Sequence, residues 1–289
     1  MKFSMIKALN ISFIVCTIWT SAFAQLPKGR IIFSSGADTG NKSELYIINS
    51  DGSNEHQLSH SGKRIDMSDN FQGRITYMQH EDSAKEWNIL VSDMNFKDVK
   101  ALTVHEGICN PKWQPGGKLI AYEYYPDTSQ EIWVMDSDGK NKRKLVGNSR
   151  HPYWSADGSQ LLFTRDGEVF SFDMKKGTET QLTHLTDKQY FAKWPAISPD
   201  NKKIAFKVYY QKKYYDGIMV LDLKNGGEKL IAGCDIPYWT SDNRYIVCSC
   251  RPGKEENNQI AIVNVETGEK TFITNDQRSN FFPAWVNGK

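Results

Sequence analysis

The sequence predicts an all-β fold: a six-bladed β-propeller of four-stranded antiparallel blades, its ring closed by the C-terminal strand joining blade 1. Three observations carry this expectation. A Pro-x-Trp phrase followed by a polar turn recurs at Pro111-Lys112-Trp113, Pro152-Tyr153-Trp154, Pro237-Tyr238-Trp239 and Pro283-Ala284-Trp285, with Pro195-Ala196-Ile197 as a variant. A second phrase, Leu or Ile before a small or apolar residue, recurs at Leu58, Leu102, Leu145, Leu182, Leu230 and Ile273. Both markers repeat about every 43 residues, the length of one propeller blade. Finally, no stretch has a helical period; short apolar or alternating runs are separated by turn residues.

The unit that begins at Trp154 shows the pattern most clearly. Ser155-Ala156-Asp157-Gly158 is a turn by composition, and Leu161 to Thr164 reads as a buried strand. Arg165-Asp166-Gly167 turns again, Glu168 to Phe172 alternates, and Lys175-Lys176-Gly177 reverses the chain before Thr180 to Thr183 closes the unit. Residues 29–59 supply three strands but no Pro-x-Trp strand before them. The missing strand lies at Phe282-Pro283-Ala284-Trp285, so the C-terminus completes blade 1, and closure removes exposed sheet edges. Blade 2 fits least well: Met67-Ser68 stands where Trp-Ser is expected, with no Pro before it.

Residues 1–24 read as an address. Lys2 and Lys7 precede the apolar run Ile11 to Trp19, and Ala22-Phe23-Ala24 offers a cleavage site before Gln25. The run is too short for a comfortable membrane span, and no second one occurs. Val15 before Cys16 argues against a lipid anchor. The expectation is a signal peptide over 1–24, a propeller over 25–289, and a periplasmic or secreted protein that does not span the membrane. The formal charge of +2 comes from Lys2 and Lys7, the only charged residues of that segment. The neutral remainder has no global field to hold a phosphate backbone, so nucleic acid is not an expected partner.

The phrases Trp154-Ser155-Ala156-Asp157-Gly158, Ile197-Ser198-Pro199-Asp200-Asn201, Val134 to Gly139, Ile48 to Gly52, Leu102-Thr103 and Leu182-Thr183 resemble the propeller repeat of the TolB family. The resemblance implies an extracytoplasmic propeller of TolB type. Only Gln25 to Lys28 separate the signal from the first strand, which leaves no room for the α/β domain that precedes the propeller in TolB itself. Some pectate-degrading lyases with a related propeller hold a metal through clustered histidines, and that implies a second reading.

Propeller geometry puts the Trp-Ser-x-Asp-Gly turns and the later Gly turns on one face. Loops between blades and between second and third strands lie on the other. The second set is longer, at Ala37–Ser43, Glu81–Lys85, Pro126–Ser129, Tyr209–Tyr215 and Arg251–Asn258, and is where the site is expected. Tyr125, Tyr209, Tyr210, Tyr214 and Tyr215 are candidates to stack on a glycan or anchor a protein, with His105, Arg150 and His151 beside them. The plainer reading of the tyrosines is cross-strand pairing in a twisted hairpin. His60, His105, His151 and His184 sit near inter-blade loops. They read as exposed loop residues or, in the second reading, as metal ligands of a carbohydrate-active enzyme. Facing Trp239 with Tyr245 would bring Cys234 opposite Cys250, a candidate disulfide; buried thiols are the alternative, and Cys248-x-Cys250 is no zinc-ribbon spacing. Asp51-Gly52, Asp138-Gly139 and Asp157-Gly158 are turn residues, not calcium loops. No phosphate loop or nucleophile elbow occurs, so no cofactor is expected. The primary expectation is a non-enzymatic binding or scaffold propeller for a protein, peptide or glycan, within or beside a cell-envelope assembly.

Overall fold

The structure is a computed structural model that describes residues 26–36, 42–81, 86–104, 107–126, 128–210, 213–253 and 256–287, with the backbone alone at 81, 86, 213–216 and 287. The proposed signal 1–24 and His105 lie outside the described residues. Six four-stranded antiparallel sheets follow one another around a ring. Blade 1 contains β1 (Gly29–Gly36), β2 (Ser43–Asn49) and β3 (His56–Gln57). Blade 2 is β4 (Ile65–Phe71), β5 (Arg74–Glu81), β6 (Glu86–Asp93) and β7 (Lys100–Ala101). Blade 3 is β8 (Ile108–Trp113), β9 (Leu119–Tyr124), β10 (Glu131–Asp136) and β11 (Arg143–Gly147). Blade 4 is β12 (Arg150–Trp154), β13 (Gln160–Arg165), β14 (Glu168–Asp173) and β15 (Thr178–Gln181). Blade 5 is β16 (Tyr190–Ile197), β17 (Lys203–Tyr210), β18 (Lys213–Asp222) and β19 (Glu228–Ala232). Blade 6 is β20 (Cys234–Trp239), β21 (Tyr245–Cys250), β22 (Gln259–Asn264) and β23 (Lys270–Phe272). The last strand, β24 (Ser279–Asn287), pairs with β1 and becomes the inner strand of blade 1. Ring closure by the C-terminus therefore holds, as the repeat phase requires.

The two repeated phrases have separate physical jobs. The Trp of Pro-x-Trp is buried between blades, and in two of them the indole N–H reaches the preceding blade: Trp154 Nε1 donates to the Lys112 carbonyl at 3.1 Å, and Trp239 Nε1 to the Ala196 carbonyl at 3.0 Å, whereas the buried Trp113 Nε1 has no hydrogen-bond partner among the described residues. Among the described residues the core divides into six clusters, each spanning two adjacent blades, such as Ile31, Val247 and Trp285 between blades 6 and 1. The hydroxyl after the closing Leu or Ile takes over the ladder where the fourth strand ends. Ser59, Thr103, Thr183 and Thr274 accept the backbone N–H of Leu45, Ile89, Val169 and Ile260 at 2.8–2.9 Å. Blades 3 and 5 carry Val146 and Ile231 there instead, and their fourth strands run on to five residues.

The inner strands share a backbone feature that their repeat phrase does not announce. Each carries a non-glycine residue with positive φ, Met67, Asn110, His151, Trp194, Ile236 and Phe282, at 48–56°. Each sits in a register shift of the inner strand against its neighbour. A bulge of this kind re-aims side chains, and here all six line the narrow waist of the central channel. Met67 shows that blade 2 keeps the backbone device without the proline. The bulge also alters the reading of blade 6. Trp239 pairs with Ile246, not Tyr245, and the shift between Asp235 and Tyr238 then restores Cys234 opposite Cys250. These two cysteines are bonded, S–S 2.09 Å, with the buried Cys248 thiol 3.5 Å from Cys250 Sγ.

Candidate functional site

The channel is nearly closed at its waist. His151 and Trp194 lie 4.2 Å apart between ring centres, and Trp194 meets Phe282 at 6.1 Å. The remaining cavity there is about 30 Å³, room for about one water. Two larger concavities therefore lie on opposite faces.

On the turn face a funnel of about 770 Å³ narrows toward the channel axis. Its rim is small and neutral at Pro115, Ala156, Pro199 and Ser241, with exposed Arg30 also lining the funnel, and buried Trp113, Trp154, Trp239 and Trp285 stand behind it. The floor is built by the middle residue of the Pro-x-Trp phrase and its equivalent, arriving from four blades. These are Asp69, Lys112, Tyr153 and Tyr238. Asp69 Oδ2 accepts the Trp113 backbone N–H at 2.8 Å, and Oδ1 accepts the Tyr238 hydroxyl at 3.1 Å. Tyr153 and Tyr238 meet edge-on at 5.7 Å, and Lys112 Nζ lies 5.9 Å from the Tyr238 ring centre. Burial pushes the Asp69 carboxyl up against the opposing charge of Lys112. Burial likewise pulls Lys112 below the ordinary lysine range, with Asp69 resisting. Both tyrosines are raised, by burial first and by the Asp69 charge second.

On the loop face a cleft of about 410 Å³ lies between blades 4 and 5, lined by Arg150, His151, Arg165, Phe191, Lys193 and Tyr209 among others. Beneath it the Glu123 carboxylate is 2 % exposed and fully engaged. It accepts the Asn110 side-chain amide at 3.0 Å, the His151 backbone N–H at 2.9 Å and the Tyr125 hydroxyl. Arg150 Nε stands 3.7 Å away, and its Nη2 donates to Tyr125 Oη at 3.1 Å. Burial alone would raise Glu123, but His151 and these donors outweigh it and hold the carboxyl below its usual range. His151 is held down to about 4 by burial, with Glu123 opposing and Arg150 and Lys193 assisting; its Nδ1 hydrogen-bonds Thr164 Oγ1 at 2.7 Å.

The structure thus brings Tyr125, Arg150 and His151 together, but as a staple between blades 3 and 4. Tyr209 carries Lys193 and Lys207 against its ring, at 4.9 and 4.7 Å. Tyr210 packs on its cross-strand partner Tyr190 of β16 at 5.2 Å, outside the 209–215 hairpin in which sequence offered tyrosine pairing as the plainer reading. The side chains of Tyr214 and Tyr215 lie outside the description. His60 and His184 are exposed and His151 is buried. Among the described residues the one group of three metal-capable side chains within reach of each other is Cys234, Cys248 and Cys250; His60, His151 and His184 do not form one. The sequence reading favoured the loop face, whereas the larger concavity opens on the turn face. It also missed Asp69, Lys112, Tyr153, Tyr238 and Glu123. The signal was present: the middle position of Pro-x-Trp holds Lys112, Tyr153 and Tyr238 at one repeat phase.

A family model described as the TolB beta propeller domain matches residues 23–287, and the chain belongs to that family. Among solved structures it is similar to TolB from Acinetobacter baumannii, with TM-score 0.79 and 19 % identity, over 89 % of this chain and 66 % of that one. It is also similar to a TolB-type protein from Agrobacterium tumefaciens (TM-score 0.65, 14 % identity, 91 % of this chain and 100 % of that one). A third similarity is to hydrazine synthase from Kuenenia stuttgartiensis (TM-score 0.75, 9 % identity, 90 % and 47 %). The chain thus spans less than two thirds of the length of the Acinetobacter and Kuenenia proteins. At these identities the likeness is one of fold.

Proposed function

As a member of the TolB β-propeller family, this chain is, we propose, an exported binding propeller that receives a segment of a protein partner in the turn-face funnel, as part of a cell-envelope assembly. The observation that carries the reading is the funnel itself. Its volume of about 770 Å³ is in the range of ligand sites, its rim offers little steric obstruction, and its polar groups converge on one point from four blades. A rigid ring presenting one deep concavity suits capture of a protruding segment. No described histidine or cysteine lines the funnel, and its one carboxylate is already occupied by donors, which favours binding over acid–base chemistry. The export step rests on the signal reading of residues 1–24. No helix among the described residues is long and apolar enough to cross a membrane.

The test is a blocked funnel. Ala156 is exposed at the rim, so Ala156→Trp fills the mouth without touching the core. Partner recovery by the tagged protein from its own cell envelopes is expected to fall at least about tenfold, a change of about 1.4 kcal/mol. Tyr209→Ala on the loop face is expected to leave it intact. Loss with Tyr209→Ala and retention with Ala156→Trp would move the site to the other face.

A further inference from the structure

We propose that the funnel selects an acidic segment, seating a partner carboxylate against Lys112. The inference rests on the funnel being the partner site and adds the chemistry of the partner.

The charged side chains that line the funnel are Arg30, Lys112 and Asp69. They are not equally available. Asp69 is 5 % exposed, and its oxygens already take the Trp113 N–H and the Tyr238 hydroxyl, with the Asn70 backbone N–H as a further donor. A cationic partner would find that acceptor taken. Lys112 is the reverse. Its ammonium can donate three hydrogen bonds, yet no hydrogen bond or ion pair is made by its Nζ among the described residues. What it has is the Tyr238 ring at 5.9 Å and the through-space charge of Asp69. Lys112 lines both the funnel and the waist above it, so it stands at the deepest point a ligand reaches. Arg30 is exposed nearer the outside.

The nearby turn carboxylates stand outside the funnel lining. Asp157, Asp200 and Asp242 are held within their own turns, accepting from Ser155, Ser198 and Thr240 at 2.6–2.7 Å. A carboxylate that displaces water from Lys112 gains a charge-assisted hydrogen bond in a partly desolvated site. A basic segment meets Lys112 and Arg30 as like charges, and an isosteric amide offers the ammonium a hydrogen bond without the charge that strengthens it.

The experiment uses fluorescein-labelled peptides of equal length on a Gly-Ser background, carrying three Glu, three Gln or three Lys at the same positions. Anisotropy is read at low and at high salt with the full-length protein. The Glu peptide is expected to bind at least about tenfold tighter than the other two, equivalent to about 1.4 kcal/mol, with the preference shrinking in salt. Lys112→Met removes the preference, Lys112→Arg keeps it, and the exposed Arg30→Gln reduces it while leaving the melting temperature unchanged. Equal affinity for Glu and Gln peptides, a preference that survives both Lys112→Met and Arg30→Gln, or no Glu-peptide binding overturns the inference. The Ala156→Trp variant separates the two levels. If it abolishes binding of all peptides but charge makes no difference, the funnel reading stands and the acidic preference fails. If peptides bind it as well as the wild type, the funnel reading itself fails.

Discussion

The two ends of the channel are built from the same inner strands and yet are organised oppositely. At the loop face the strands begin, and the polar groups there close on one another: Glu123 takes Asn110, His151 N–H and Tyr125, and Arg150 bridges to Tyr125. At the turn face the strands end. Asp69, Trp113 and Tyr238 bond one another there, but Lys112 faces a cavity of about 770 Å³ with no acceptor for its Nζ among the described residues. Satisfied buried networks fix structure, whereas an unsatisfied donor facing a cavity is free to recognise. The same side-chain chemistry therefore serves stability on one face and binding on the other.

If that contrast is right, the faces respond differently to mutation. The largest effect is expected from Glu123→Ala, which strips a buried acceptor from Asn110, Tyr125 and Arg150; unfolding free energy in urea falls by about 3–5 kcal/mol. A fall of less than about 1 kcal/mol breaks the staple interpretation. Next is acid. His151 has its pKa lowered from 6.5 to about 4 in the folded protein. The unfolded chain binds the proton more readily, so the contribution is present above pH 6.5 and is lost as pH falls toward about 4, amounting to about 3 kcal/mol. The lowered Glu123 carboxyl adds to the loss at still lower pH, through its own folded pKa. His151→Gln flattens the urea midpoint across the upper window; an unchanged pH profile in that variant contradicts the assignment.

The disulfide closes a separation of 16 residues at the loop-face end of blade 6. Cys234→Ser with Cys250→Ser is expected to cost about 3 kcal/mol, read as a lower melting temperature with partner capture preserved in the folded fraction. Gly158→Ala comes lower, at about 1–2 kcal/mol. Gly158 has φ +69°, and a Cβ there would sit 2.9 Å from the Pro115 carbonyl oxygen, so this turn needs glycine both for conformation and for close approach. The smallest change in stability, within about 0.5 kcal/mol, is expected from Ala156→Trp at the exposed rim, although partner recovery is expected to fall at least about tenfold. Stability and binding are thereby dissociated by face.

Much of the architecture was legible because repeats report it six times over. Trp154 and Trp239 mark the inter-blade hydrogen bond, and Thr183 and Thr274 mark the hydroxyl that ends a blade, so phase and closure follow from spacing. The disulfide partners were legible for a reason only partly right: the assumed Trp239–Tyr245 pairing is one residue off, and the bulge beside Ile236 compensates. In five blades that bulge sits just before the phrase's proline, at Pro111, Pro152, Pro195, Pro237 and Pro283, but the bulged residues themselves, Met67, Asn110, His151, Trp194, Ile236 and Phe282, share no chemistry that announces a positive φ. The binding floor was hidden for a related reason. Asp69, Lys112, Tyr153 and Tyr238 are far apart in the chain and meet only because four blades bring one strand position to the axis. Conspicuous clusters such as Tyr209-Tyr210 point to the loop face, where Tyr210 packs on Tyr190 of the neighbouring strand.

The most direct measurement is site-specific photo-crosslinking in intact cells, with a benzophenone side chain placed singly at Ser241 on the funnel rim and at Asn148 or Asp166 by the loop-face cleft, all exposed positions. The account predicts a discrete protein adduct from Ser241 and none from Asn148 or Asp166, with the Ser241 adduct lost when Ala156→Trp is added. Adducts from the loop-face positions alone would contradict it.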